Sequence, residues 1–159
     1  MVNPPTIGEI SKEIDSAAGA LSRSGQVSHF PANSGKVGAT AGFAFTNNQG
    51  TATVPASQTA STLLIPLVLK TGDVITTFKV SGQIESAGST VTVDADLRAT
   101  TVAAADLTDA SIGAITQISK TADYLINDSK TGLSHTVIAG NSYYVLVTVT
   151  TGTTTDVDL

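Results

Sequence analysis

Apolar and polar positions alternate most strictly between Ser61 and Arg98, and the rest of the chain reads as built around that stretch. It opens with the apolar run Leu63-Leu64-Ile65-Pro66-Leu67-Val68-Leu69, followed by a turn at Lys70-Thr71-Gly72-Asp73. Val74, Thr76, Phe78, Val80, Gly82 and Ile84 then fall on one face of an extended segment, with Ile75, Thr77, Lys79, Ser81, Gln83 and Glu85 on the other. Ser86-Ala87-Gly88-Ser89 reads as a second turn, after which Val91, Val93, Ala95 and Leu97 alternate with Thr92, Asp94, Asp96 and Arg98. A period of two with turn formers between the runs predicts half-buried antiparallel strands. The expected core is Phe78, Val80, Ile84, Val91, Val93, Leu97, Val145 and Val147.

The flanking sequence adds further strands. Phe43 and Phe45 alternate with small residues, Asn47-Asn48-Gln49-Gly50 makes a turn, and Thr51 to Val54 returns, predicting a first hairpin. Pro55 and Pro66 lack an N–H and place their strands at an edge or a bulge. Ala99 to Ala110 reads as a connecting excursion with room for one helical turn, and Ile112, Ile115 and Ile118 introduce another strand. Tyr124 to Thr131 reads as a loop that turns at Asn127-Asp128-Ser129-Lys130. Leu133 to Ile138 and Tyr143 to Thr150 read as a hairpin joined at Ala139-Gly140-Asn141. Both faces of Tyr143–Thr150 are apolar at its start, which predicts a central strand. Only a stub of strand fits before Leu159. Seven or eight strands with turn signals at this spacing predict an all-β fold, an antiparallel β-sandwich or jelly roll, over residues 35–159.

Residues 1–34 follow a different pattern. Thr6 and Glu9 have capping-box spacing, and Ile7, Ile10, Ile14, Ala17 and Leu21 recur at three and four residues, predicting a short amphipathic helix. Its heptad-like spacing, with Ile at both seam positions, favours trimers over dimers. Ser22 to Lys36 is rich in small and polar residues and is broken by Pro31, as expected of a linker or extended arm. About two heptads fall short of a self-sufficient coiled coil, and the plain reading is a helix resting on its own domain or a neighbour. As an attachment device the arm is expected to use Ile7, Ile10, Ile14, Leu21 and Phe30 as its partner-binding anchors.

Composition narrows the functional classes. Lys and Arg number 8 against 13 Asp and Glu, giving a net charge of -5, and the basic residues never cluster; no nucleic-acid partner is expected. The absence of Cys rules out disulfides and thiolate metal sites. No apolar run reaches the length of a membrane span, and no membrane partner or signal peptide is expected. Thr and Ser make up about a quarter of the residues, which suits pleated surfaces.

Candidate chemistry is sparse. His29 and His135 are the only histidines and lack zinc-ligand spacing; His29 reads as an arm residue and His135 as a solvent-facing strand residue. Asp94 and Asp96 share a strand face and Asp106 and Asp109 the following loop, an oxygen-rich arrangement without the EF-hand pattern. Alternation sends Ser134 and His135 to opposite faces, no Gly-x-Ser-x-Gly elbow is present, and Gly35-Lys36 lacks the earlier glycine of a phosphate loop. The expectation is a protein that is not an enzyme and uses no cofactor.

In order, the pieces are Leu64-Ile65-Pro66-Leu67-Val68-Leu69, Thr71-Gly72-Asp73-Val74-Ile75, Val91 to Arg98, and Asn141-Ser142-Tyr143-Tyr144-Val145-Leu146-Val147. This order resembles a β-sandwich module of bacteriophage virion structural proteins, over about residues 51–150. The resemblance implies a capsid decoration, head-fibre or tail-fibre component, located in the virion. Its expected partners are capsid or fibre proteins of the same particle and further copies of itself, as a homotrimer. A carbohydrate-binding module or surface adhesin is the alternative; Tyr124, Tyr143 and Tyr144 are its candidate stacking residues besides the phenylalanines, since the chain has no Trp.

Overall fold

The computed structural model describes residues 36–37, 44–46, 51–102 and 106–159, and the account below concerns those residues. All their regular structure is strand: β1 (Lys36–Val37), β2 (Ala44–Thr46), β3 (Thr51–Val54), β4 (Ser61–Leu67), β5 (Val74–Ile75), β6 (Phe78–Val102), β7 (Leu107–Ala114), β8 (Ile118–Lys130), β9 (His135–Thr136), β10 (Ser142–Thr150) and β11 (Thr155–Asp158). Every pairing is antiparallel. The all-β expectation therefore holds. The helix and linker expected within residues 1–34 lie outside the described part.

β6 is the spine. It runs for 25 residues. Along one edge, Phe78–Val93 pairs with β8 and Asp96–Val102 with β7. Along the other, Gln83–Ser86 pairs with β11 and Thr92–Thr100 with β10. β10 passes on to β4 and β11 to β3, while β1 and β2 extend the sheet beyond β4 and β3. Four long segments thus lie side by side, each interrupted near its middle. The interruptions are Pro55–Ala60 between β3 and β4, Glu85–Thr90 within β6, Ile115–Gln117 between β7 and β8, and Thr151–Thr154 between β10 and β11.

These interruptions are where the sheet bends. Ile84 and Val91 both face the core although they stand seven positions apart, whereas an unbroken strand would send them to opposite faces. Register shifts against β8 on either side of Ala87 absorb the odd residue, and Gly88 takes the positive φ of 98°. Side chains stitch the crease together. Ser86 N–H donates to Asp123 Oδ1, Ala87 N–H to the Thr154 carbonyl, and Thr154 Oγ1 to the Ala87 carbonyl. Pro55–Ala60 is pinned in the same way: buried Thr151 accepts from Gln58 N–H and donates to the Pro55 carbonyl. Bends and bulges of this kind let one sheet curl over its own inner face.

The curl encloses one core. Ala52, Val54, Leu63, Ile65, Ile84, Val91, Val93, Leu97, Ile126, Val147, Val149 and Val157 are buried in it together. Of the expected core, Phe78, Ile84, Val91, Val93, Leu97, Val145 and Val147 are buried, and Val80 packs against them half-buried. A smaller cluster of Ala99, Val137 and Tyr143, flanked by Leu67, Leu69, Ile75 and Ile112, closes one end.

Several local expectations are corrected. Ser86–Ser89 is a bend inside a continuous strand and does not reverse the chain. The strand expected from Val74 splits at Thr76-Thr77, and Val74–Ile75 pairs with β9 with Ile75 turned inward instead of Val74. Val102 pairs with Leu107, so most of Ala99–Ala110 is the end of β6 and the start of β7. Tyr124–Lys130 is strand paired with Phe78–Ile84. β10 pairs with β4 and β6, leaving no hairpin with Leu133–Ile138; its expected central position holds.

Candidate functional site

Two places bring polar side chains together. The first is the outer face of the sheet where β6, β7 and β10 meet. Burial of Val93, Ala95, Leu97 and Ala99 turns Asp94, Asp96, Arg98 and Thr100 outward in a row. The β6–β7 pairing sets Ser111 opposite Arg98 and Asp109 opposite Thr100, and β10 places Tyr144 opposite Arg98. Arg98 then bridges two carboxylates, with Nη1 2.6 Å from Asp96 Oδ2 and Nη2 2.8 Å from Asp109 Oδ2. The Tyr144 hydroxyl donates to Asp109 Oδ1 at 2.7 Å, Ser111 Oγ donates to Asp96 Oδ1, and Gln117 Nε2 donates to both oxygens of Asp94.

This network shifts its own titrations. The Tyr144 hydroxyl, followed by the Arg98 guanidinium, holds Asp109 below the usual carboxylate range. Partial burial, and then the bond to Asp109, pushes Tyr144 up. The two carboxylates raise Arg98, which stays cationic. Asp94 and Asp96, the pair weighed for a cation, thus receive hydrogens from Gln117, Arg98 and Ser111. Among the described residues, no three His, Cys, Asp or Glu converge as a metal site. Asp106 accepts from the Leu107 N–H and takes no part in the network with Asp109.

The second place is a groove of about 460 Å³ between the end of the β6–β7 hairpin and the connection that carries β9. Thr101, Ser111, Ser134, His135 and Asn141 supply its polar wall. His135 corrects the expectation of a solvent-facing residue. It is half-buried, packs edge-on to Tyr143 at 5.6 Å between ring centroids, and lies 3.2 Å from the Tyr143 hydroxyl through Nε2. That hydroxyl also accepts from the Ile138 N–H at 2.9 Å. The pair anchors β9 and its connection to the small core cluster.

The anchors expected on the arm, Ile7, Ile10, Ile14, Leu21 and Phe30, lie outside the described residues, as does His29. Of the tyrosines weighed for sugar stacking, Tyr143 is buried, Tyr144 is tied to Asp109, and Tyr124 carries the Lys120 ammonium 4.2 Å above its ring. The sequence alone does not reveal the Arg98 network, because Asp109 reaches it through the β6–β7 hairpin, where only a connecting excursion is expected. The outward alternation of Asp94, Asp96 and Arg98 was its legible half. No protein-family model, curated protein or solved structure matches this chain.

Proposed function

We propose that this is a structural virion protein of a bacteriophage, a capsid decoration or fibre component that binds the particle lattice and associates with its own copies as a trimer. The curled sheet then serves as a two-layered β-sandwich of jelly-roll type, and residues 1–34 serve as the attachment arm. The observation that carries the reading is the outer face of the sheet. There Asp96, Arg98, Asp109, Ser111 and Tyr144 bond to one another across β6, β7 and β10, and Gln117 bonds to Asp94 beside them. Side chains that tie strands together make a cohesive shell, as a load-carrying coat protein needs, and the order of sequence pieces resembles virion modules. The test is a mass-spectrometric inventory of purified particles, followed by incorporation of a chain lacking residues 1–34. The full chain is expected in stoichiometric amounts on particles and the shortened chain as a folded protein that no longer attaches. Particles without the full chain overturn the reading; native attachment of the shortened chain moves the binding to the sheet surface.

The groove favours a second reading, a carbohydrate-binding module or adhesin. Thr101, Ser134, Asn141 and His135 line one concave wall, and their hydroxyl, amide and imidazole groups are a donor–acceptor set suited to sugar hydroxyls. Specific sugar binding on a glycan array, lost with Asn141→Ala, would select this reading.

A further inference from the structure

The outer face of the sheet is polar over β6 but apolar over β4. Burial of Leu63 and Ile65 turns Leu64 and Pro66 outward, and the β4–β10 register sets Leu146 opposite Leu64 and Tyr144 opposite Pro66. Val68, the first residue past β4, continues the row and is 89% exposed. An apolar stripe thus runs between the Arg98 network and the edge where β1 lies. Large apolar side chains on the solvent face of an antiparallel sheet call for a cover.

The direction of β1 points to what covers it. Lys36 pairs with Leu64 and Val37 with Leu63, so an upstream continuation of β1 would run along β4 toward Pro66 and Val68. Continued upstream, that register sets Ala32 beside Val68. Phe30 would follow one step further, opposite Lys70, at a register position on the same face as outward-facing Leu64. Upstream lie 29 further residues, among them the Ile7, Ile10, Ile14 and Leu21 stripe, within reach of Leu146 and Tyr144.

We infer that the outer stripe Leu64–Pro66–Val68, with Leu146, is the seat of the chain's own N-terminal segment, with Ala32 landing beside Val68 and Phe30 diagonal to it, opposite Lys70. The inference concerns the isolated chain and stands apart from any particle. The seat gives the arm a stored position against its own sheet, from which a lattice partner would have to draw it.

The absence of Cys makes the test clean. In the full chain, Ala32→Cys is combined with Val68→Cys and, as a control, with Asn127→Cys at an exposed position of β8. Under mild oxidation the first pair is expected to close a bond within one chain about tenfold faster, or more, than the control. Equal rates overturn the inference, and a predominantly between-chain product overturns the within-chain assignment. A second readout needs no disulfide: Phe30→Trp creates the sole Trp, and its emission is expected to be blue-shifted and to move red when Val68→Lys is added. A water-like emission in both variants overturns the seat. Because both experiments use protein free of particles, their failure leaves the virion reading standing, and failure of that reading leaves the seat standing.

Discussion

Ile84 and Leu125 sit in adjacent rungs of the β6–β8 ladder, Ile84 opposite Tyr124 and Leu125 opposite Gln83, yet they face opposite ways. Ile84 is 0% exposed and Leu125 is 73% exposed. Ile84→Ala removes three carbons from the wall of the core beside the crease. At about 0.8 kcal/mol per methylene the transfer loss is about 2.4 kcal/mol. The strands around the site are held by β8 and β11 and relax little, so the cavity left behind brings the total to about 3–4 kcal/mol. For a chain of this length that lowers the thermal midpoint by about 10 °C. Leu125→Ala removes the same number of carbons from the solvent face and should cost less than about 0.5 kcal/mol. Urea unfolding followed by tyrosine fluorescence is the assay, since Tyr124 lies across from Ile84 and the chain has no Trp. Equal losses for the two variants would refute the inward register of β6 against β8, and with it the curl.

Three further outcomes are expected. A Cβ on Gly82 would run into the Asp158 carbonyl oxygen and the Leu159 backbone, so Gly82→Ala should destabilise by about 2 kcal/mol or more. Gly113→Ala meets only the movable Leu133 and Lys130 side chains and should cost less; calorimetry of the two compares them. Because Asp109 is held below the usual carboxylate range, its contribution is complete above that range and is lost as the pH falls through the lowered value. Tyr144→Phe removes the larger cause, so the fall in thermal midpoint below about pH 4 should become shallower than in the parent chain. Tyr143→Phe takes the acceptor from the Ile138 N–H and should cost about 1 kcal/mol, with faster hydrogen exchange at Ile138 while the β6–β10 amides stay protected.

The alternation of Val91, Val93, Ala95 and Leu97 was legible because each inward position needs only its own neighbours to declare its face. Ser86-Ala87-Gly88-Ser89 misled for the opposite reason. Its residues suit a reversing turn and a bulge equally, and the choice is made by Asp123 and Thr154, far along the chain. Asn127-Asp128-Ser129-Lys130 is composed of turn formers, yet it extends because Phe78–Ser81 offers backbone partners along β6. A polar strand with only one paired neighbour carries little hydrophobic signal of its own. Of the outer network, the row on β6 could be read, while Tyr144 and Asp109 entered through pairings that only the fold creates.

The pairing of β3 with β11 has a kinetic consequence. Thr53 donates to Asp158 across a sequence separation of 105 residues, and β11 lies between β3 and the spine. β3 therefore has no place in the sheet until β11 has arrived, and Ala52 and Val54 remain wet until that step. Closing so long a loop costs chain entropy before any contact repays it, which puts this topology among the slow folders, in the millisecond-to-second range. Once β11 has docked on β6 and until β3 joins it, the outer edge of β11 is open to any extended chain nearby, including β3 of another copy. Exchange of β3 between copies is thus the misassembly to which this order of strands is most exposed, and dilute refolding the condition that suppresses it.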